Sequence, residues 1–382
     1  MKQIICLSTS PWYPIPTRKQ QVMSRLRDAE VLYFDPPVTW IAPFRDPGAK
    51  PKLRAYRMAG ERVREGITVY ALPPVCPFFN RYRSINRRNQ KKTASYVRKR
   101  MAEAGFDKPV LWCYSPVSAD VVDRIPHSAL IYDCVDRHSA YGGLMDPALV
   151  DEMELELAGK ADMVFATAEG LAERLRTVNP RAVFLPNGAN YELFRQAAEP
   201  GETPLEMREL KGPVFGFVGA LQECIEYGFV VSAAKARPEW NFVFIGRENP
   251  GVDLSGLHAL PNVHFLGLKP HEQLPRYIAC FDVCLNLFAS SALSKDVSPL
   301  KFYEYLATGK PIVSTPQPDQ ILQYAPLLHV ARTEAEFETA CAAALTDTDP
   351  ARCDARMEEG RKSSWDARVA EMERILTEMG IW

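Results

Sequence analysis

Lys301 and Glu304 stand three residues apart in the stretch S-P-L-K-F-Y-E-Y-L-A-T-G-K-P-I-V-S, residues 298–314. That spacing makes them neighbours on one helix face. A cation in the first turn of a helix, beside N–H groups without an intrahelical partner, makes an anion site. A carboxylate one turn further on can accept two sugar hydroxyls. Together they suit a nucleotide diphosphate with its ribose. The plainer alternative is a solvated ion pair contributing under about 1 kcal/mol.

The surrounding residues predict the helix that would position them. Ser298 suits the N-cap, Pro299 the first helical position, and Gly309 followed by Pro311 closes the element. Leu300, Tyr303, Leu306 and Ala307 recur at helical spacing and give one buried face. The run Pro311-Ile312-Val313-Ser314 then reads as a short buried strand.

The rest of the chain alternates strands and helices, the pattern of a doubly wound α/β sheet. Residues 3–9 read as a strand that breaks into the Pro-rich loop 10–16, followed by a helix over 20–27 and a strand over 31–34. The loop contains no Gly, so a dinucleotide fingerprint is excluded there, although it lies outside the carboxyl end of a strand, where open α/β sheets bind ligands. Residues 36–100 are the least regular part. Strands follow at 110–114, 129–135, 161–167 and 182–186, with a helix near 118–123. A polar linker at 196–213, with Pro200, Gly201 and Pro204, precedes a second series of strands at 214–219, 242–246, 263–266 and 283–287. A final helix over 363–379 carries Trp365, Val369, Met372 and Leu376 at helical spacing. Asp347-Thr348-Asp349, the one Asp-x-Asp match, reads as a turn rather than a metal site.

At 382 residues the chain is long enough for two full cores, and 47% hydrophobic with 24% charged residues is the composition of a globular protein. No run approaches the 18 or so apolar residues of a membrane span. Ile4–Leu7 is too short for a signal-peptide core and reads as the first strand. Nine scattered Cys, an odd count, argue against a disulfide framework and for a reduced, cytoplasmic setting.

The net charge of −1 is unevenly spread: residues 1–195 hold 29 Lys and Arg against 21 Asp and Glu, and the remainder 17 against 26. No Asp or Glu occurs from Gly66 through Ala102, where Phe78, Phe79, Tyr82 and Tyr96 alternate with basic residues. One basic helix face is usually just solvated. A cationic span of this length with interleaved aromatics instead suits an anionic membrane surface, each charge contributing about 1 kcal/mol there. Nucleic acid, the competing partner for such a patch, lacks any accompanying motif. The expectation is therefore an anionic membrane surface met through the basic 81–100 region, and no nucleic acid.

The segment P-L-K-F-Y-E-Y-L-A-T-G-K-P-I-V resembles the donor-binding helix of GT-B glycosyltransferases, an E-x7-E pattern followed by a small-Gly-x-Pro-hydrophobic turn. Glu304 matches the second, ribose-binding acid, and the first falls at Asp296. G-F-V-G-A-L (216–221), L-P-N-V-H-F-L-G (260–267) and the L-P-N-G segment at 185–188 are similar to other parts of this group 1 type. The resemblance implies two facing Rossmann-like domains with a cleft between them. The acceptor-binding domain would span 1–195 and the nucleotide-sugar domain 196–362, with residues 363–382 as a C-terminal helix crossing back to the first domain, anchored by Trp365. It also implies transfer from a nucleoside-diphosphate sugar, UDP favoured, with no cofactor and no bound metal. Ser298, Pro299, Leu300, Lys301, Glu304 and Gly219 would hold the donor. Many relatives carry Arg and Lys just after the V-G strand; Gln222–Tyr227 has neither, so either Lys301 would bear more of the diphosphate charge or a further residue would help.

L-I-Y-D-C-V-D-R-H-S (130–139) is similar to the segment carrying the aspartate base in the xanthan-type glucuronosyltransferase family, which implies a hexosyl- or glucuronosyltransferase. Asp136 falls at the base position and would deprotonate the acceptor hydroxyl. Asp133 and His138 compete for that role. Asp133 could be a buried core acid, His138 a loop histidine, and Asp136 itself a helix N-cap. The acceptor expected is a lipid-linked saccharide, with Trp12, Tyr13, Arg18 and His138 near its site, in surface polysaccharide or glycolipid assembly at the inner face of the plasma membrane. The alternative is a catalytically inactive GT-B-like protein that binds sugar or lipid, or serves as a partner subunit.

Overall fold

The computed structural model describes residues 1–141, 143, 145–199, 201–291 and 293–382; Pro200 of the expected linker lies outside the described residues. The chain divides into two compact units, Met1–Pro186 with Val369–Trp382, and Asn187–Arg368. The expected boundaries were 195/196 and 362/363. Residues just after the first division belong to the second unit because Ala189, Phe194 and Ala197 are buried in its core.

The first unit is an eight-stranded sheet. Its strands are β1 (Lys2–Leu7), β2 (Ala29–Asp35), β3 (Glu61–Arg64), β4 (Ile67–Ala71), β5 (Val110–Cys113), β6 (Ala129–Cys134), β7 (Met163–Ala166) and β8 (Ala182–Phe184). They lie in the order β3-β4-β2-β1-β5-β6-β7-β8, and β3 alone is antiparallel to its neighbour. β5, β6 and β7 are buried along their whole length, as parallel strands covered on both faces must be. Alternate residues feed opposite faces: Ile5 and Leu7 join Leu111 and Tyr132, whereas Ile4 and Cys6 join Trp112 and the final helix's Val369, Met372 and Leu376. Trp365 begins that helix (Trp365–Glu378) but belongs to the second unit, where its N–H donates to the Ala189 carbonyl. The anchor on the first unit is therefore not Trp365, as expected, but the apolar stripe from Val369 onward.

Three helices of this unit matter below. Helix α1 (Arg18–Met23) starts where the Gln20 side chain accepts a bond from Thr17 N–H at 2.9 Å. Helix α2 (Arg83–Glu103) runs through the stretch whose sequence looked least regular, and α3 (Pro147–Lys160) is capped by Asp146.

The second unit is a fully parallel sheet of β9 (Val214–Val218), β10 (Asn241–Ile245), β11 (Val263–Phe265), β12 (Val283–Asn286), β13 (Ile312–Ser314) and β14 (His329–Val330). Its order is β11-β10-β9-β12-β13-β14. Helix α4 (Leu300–Thr308) packs Phe302, Tyr305 and Leu306 against Val218, Val243 and Ile245 and ends on Gly309 in the left-handed conformation. Two details differ from expectation. Pro299, not Ser298, is the N-cap, because the Ser298 hydroxyl instead accepts a bond from Asn187 N–H at 3.1 Å. Leu300 is 39% exposed rather than part of the buried face. Helix α5 (Pro350–Lys362) is separate from the final helix; Asp349 caps it, and Asp347 pairs with His329, Arg352 and Arg356. Both carboxylates of the Asp-x-Asp match therefore have structural partners.

Candidate functional site

Each sheet reverses its strand order at one point, and ligands of open α/β sheets bind outside the carboxyl ends of the strands there. In the second unit that point lies between β9 and β12. β9 delivers Gly219, whose N–H donates to the Ile245 carbonyl at 2.8 Å. At Gly219 (φ +148°) a Cβ would stand 2.5 Å from Lys301 Cε and 2.8 Å from Nζ. At Gly246 (φ +155°), after β10, a Cβ would stand 1.9 Å from the Gly219 carbonyl oxygen. Two side-chain-free residues thus make the room that the Lys301 ammonium occupies.

Lys301 Nζ lies 5.0 Å from the centre of the Phe217 ring and 5.3 Å from that of Phe288, a cation held by ring faces. Burial pushes its pKa down, while Glu304 and Cys224 act in the opposite direction. A half-buried ammonium in the first turn of α4 favours an anion beside it. Val218 N–H donates to the Tyr305 hydroxyl at 2.8 Å, fixing α4 against β9. Glu304 faces His271, with Nε2 3.6 Å from Oε1. That carboxylate raises the His271 pKa, and the ring sits edge-on to Phe194 at 5.4 Å. Gly219, Lys301 and Glu304 are thus gathered round one strand end. Ser298 and Pro299 serve the entry to the helix, through the hydroxyl and carbonyl that Ser298 offers to Asn187.

In the first unit the reversal lies between β1 and β5. A pocket of about 400 Å³ opens there, lined by Ser8 and Thr9 after β1, Ser115 after β5, and Asp136 and His138 after β6. Asp136 is exposed and accepts a hydrogen bond from the Tyr141 hydroxyl at 2.7 Å. It caps no helix, since the short turn His138–Ala140 has no side-chain cap. His138 is buried, with Nε2 3.1 Å from the Tyr114 carbonyl, so Nε2 carries the proton. Burial lowers the His138 pKa, more than Asp136 raises it, and leaves the ring neutral.

The other residues expected here are held elsewhere. Arg18 is buried with its Nε 3.0 and 3.1 Å from the two oxygens of buried Asp133. One of its NH groups donates to the Pro186 carbonyl. It ties α1 to β6 instead of reaching an acceptor, and Asp133 is the core acid of the alternative reading. Trp12 places its N–H on Asp35 and its ring edge-on to Tyr33 at 5.0 Å. Tyr13 points to solvent, 57% exposed. None of these three lines the Asp136 pocket.

Sequence reasoning missed Gly246, His271, Asn187, Tyr141 and Lys19. Asn187 lay within the L-P-N-G phrase, and Gly246 at the end of an expected strand was a readable signal. His271 carries no signal in spacing, because its partner Glu304 comes from another element, and Tyr141 meets Asp136 only through the path of the loop after β6.

Residues 212–347 match the family model described as "Glycosyl transferases group 1". Over 231 residues the chain is 28% identical to TuaH of Bacillus subtilis (strain 168), provisionally named a teichuronic acid biosynthesis glycosyltransferase; the match spans 57% of this chain and 58% of that curated relative. Among solved structures, sucrose-phosphate synthase from Thermosynechococcus elongatus superposes with TM-score 0.70 at 15% identity over 100% of both chains. An E. coli trehalose-6-phosphate protein bound to UDP-2-fluoro glucose gives 0.71 at 11% identity over 99% of both. Anabaena HepE in complex with UDP gives 0.67 at 14% over 99% of this chain and 100% of that one. Strand order and these superpositions give the chain the GT-B fold, and its residues 212–347, which include the glycine-made space beside Lys301, are similar to glycosyltransferases of group 1.

Proposed function

We propose that the protein is a glycosyltransferase that moves a sugar from a nucleoside-diphosphate sugar, UDP-linked in preference, to a lipid-linked or glycan acceptor in surface polysaccharide or glycolipid assembly. The observation that carries this is the Lys301 ammonium seated over Gly219 at the start of α4. The start of α4 and Lys301 stabilise the leaving diphosphate electrostatically, the work a divalent cation does in other enzymes. Glu304 accepts the ribose hydroxyls. Asp136, oriented by the hydrogen bond from Tyr141, takes the acceptor's proton. The bound UDP-2-fluoro glucose and UDP of two proteins of the same fold, and the teichuronic acid biosynthesis in the name of TuaH, support the substrate classes. A hexosyl or glucuronosyl group is the sugar proposed.

We place the protein in the cytoplasm, at the inner face of the plasma membrane. Among the described residues no helix is long and apolar enough to cross a membrane, and the contact proposed is peripheral. Part of the basic run is neutralised by acids from elsewhere: Arg83 pairs with Asp120, Glu152 and Glu156, and Arg87 with Asp120. Arg81, Arg88, Lys91, Lys92 and Arg98 remain exposed, and the same unit exposes Trp40, Tyr82 and Phe44, the last at 90%. Cations with solvent-facing aromatics suit an anionic lipid surface.

Incubation with a panel of UDP- and GDP-sugars, scored for release of the free nucleotide diphosphate, tests the activity. Release from one UDP-sugar above the others is expected. UDP binding without turnover of any donor, with acceptor extracts present, would favour the non-catalytic reading, which the absence of Arg and Lys in Gln222–Tyr227 motivates.

A further inference from the structure

The pocket beside Asp136 contains an ammonium group that the chemistry above leaves unused. Lys19, in α1, is 8% exposed and lines the same pocket as Asp136 and His138. Among the described residues its Nζ makes no hydrogen bond or ion pair; the Tyr114 ring lies 5.7 Å away. Burying a charge without a close counter-charge is costly, and burial indeed pushes the Lys19 pKa down, against the opposing pull of Asp136 and Asp133.

The neighbouring groups do not supply that counter-charge at contact distance. Asp133 is taken by Arg18. Asp136 accepts its hydrogen bond from Tyr141 and stands in the pocket without touching Lys19. His138 is neutral and donates to Tyr114. Two α2 amides that line the cavity are also committed: Asn86 donates to the Val117 carbonyl and Asp120, and Asn89 exchanges bonds with the Cys76 backbone. Among the described residues the cavity therefore presents one carboxylate and one ammonium, separated, among uncharged polar and apolar walls.

We propose that this pocket takes an acceptor bearing an anionic group, a sugar carboxylate or a phosphate, whose charge is received by Lys19 while a hydroxyl of the same molecule faces Asp136. This rests on the reading of the Asp136 pocket as the acceptor site. A neutral sugar would close the pocket over an unpaired cation, whereas an anion restores the interaction that burial removed. Acceptor choice would then be set by charge as well as by hydroxyl geometry, with neutral sugars rejected because they leave Lys19 desolvated.

The test is thermal unfolding of the full chain with saturating UDP present, so that the donor site is filled and added anions report on the other pocket. The probes are D-glucuronate and inorganic phosphate, with D-glucose as the neutral control. In the wild type one or both anions are expected to raise Tm by roughly 5 °C at a hundredfold excess over Kd, and glucose to do less. Which anion acts separates the carboxylate source from the phosphate source. Lys19→Met should lose the anion-dependent rise while keeping the UDP-dependent one, which shows that it is folded; Lys19→Arg should regain the anion response. Equal anion shifts in wild type and Lys19→Met, or no anion shift in the wild type, would overturn the proposal. Failure of UDP to raise the wild-type Tm would count against the donor reading instead, and the Lys19 comparison can then be made without UDP.

Discussion

The two units solve the same topological problem and arrive at different chemistry. Each gathers side chains beyond the carboxyl ends of the strands where its order reverses. In the second unit the gap is made by removing side chains: at Gly219 the Lys301 ammonium comes within 3 Å of where a Cβ would stand, and Gly246 makes room for the Gly219 carbonyl. In the first unit no glycine among the described residues lines the pocket; Ser8, Thr9, Ser115, Asp136 and His138 do. The contrast fits the two tasks proposed for the two sites. Backbone and a cation suit a compact, strongly charged diphosphate, whereas hydroxyls, a carboxylate and a neutral imidazole suit a polyol that must lose a proton.

That division can be broken from either side. The largest effect is expected from Asp136→Asn, which should lower transfer by a factor on the order of 10² to 10⁴ while UDP affinity stays within twofold of wild type. Single-turnover transfer and calorimetry read the two quantities separately, and wild-type-like turnover removes Asp136 from the mechanism.

Gly246→Ala comes next. Its Cβ would collide with the Gly219 carbonyl, and a non-glycine residue at that φ is strained, together costing on the order of 2–4 kcal/mol of stability. UDP affinity should fall as well, because Gly219 is displaced. Urea unfolding reads the first and calorimetry the second; a variant equal to wild type in both would mean that the close approach is unimportant.

Glu304→Gln keeps the shape but weakens acceptance of ribose hydroxyls. UDP affinity should drop about tenfold, in line with loss of charge-assisted hydrogen bonds. A drop equal for UDP and for inorganic pyrophosphate would instead assign Glu304 to the phosphates.

The smallest effect belongs to His271. Its pKa is raised in the folded protein, chiefly by Glu304. The group therefore adds stability below its unfolded pKa of about 6.5, and that stability is lost as pH rises through the folded value. The pair is partly exposed, so a degree or two of Tm is the expected scale. Wild type should exceed His271→Gln at pH 5.5 and approach it at pH 8.5. An unchanged difference across that range would show that the ion pair does not form.

How much of this was legible in sequence differed between the two units. The second was the more readable because its signals are local: the 3.6-residue apolar period of α4, Gly309 as its stop, and the Lys301–Glu304 spacing all lie within one element. The same locality misled at Ser298. A serine before a proline looks like a cap, but Asn187, more than a hundred positions away, takes its hydroxyl as an acceptor. In the first unit Asp136 could be read from its place at a strand end, yet Arg18 could not be told from a solvent-facing arginine. Its burial depends on Asp133 in β6, and no spacing connects the two. Helix α2 was hidden for a related reason. Polar Asn86, Asn89 and Gln90 are buried on its inner face, which erases the apolar period by which helices are recognised.

The claim on which the account stands is that Lys301 receives the donor's diphosphate. Calorimetric titration of UDP into the wild type and into Lys301→Met tests it most directly. The account predicts a loss of at least tenfold to a hundredfold in affinity, the scale of one charge-assisted contact, with the variant still folded. Equal UDP affinity in the two proteins would contradict it.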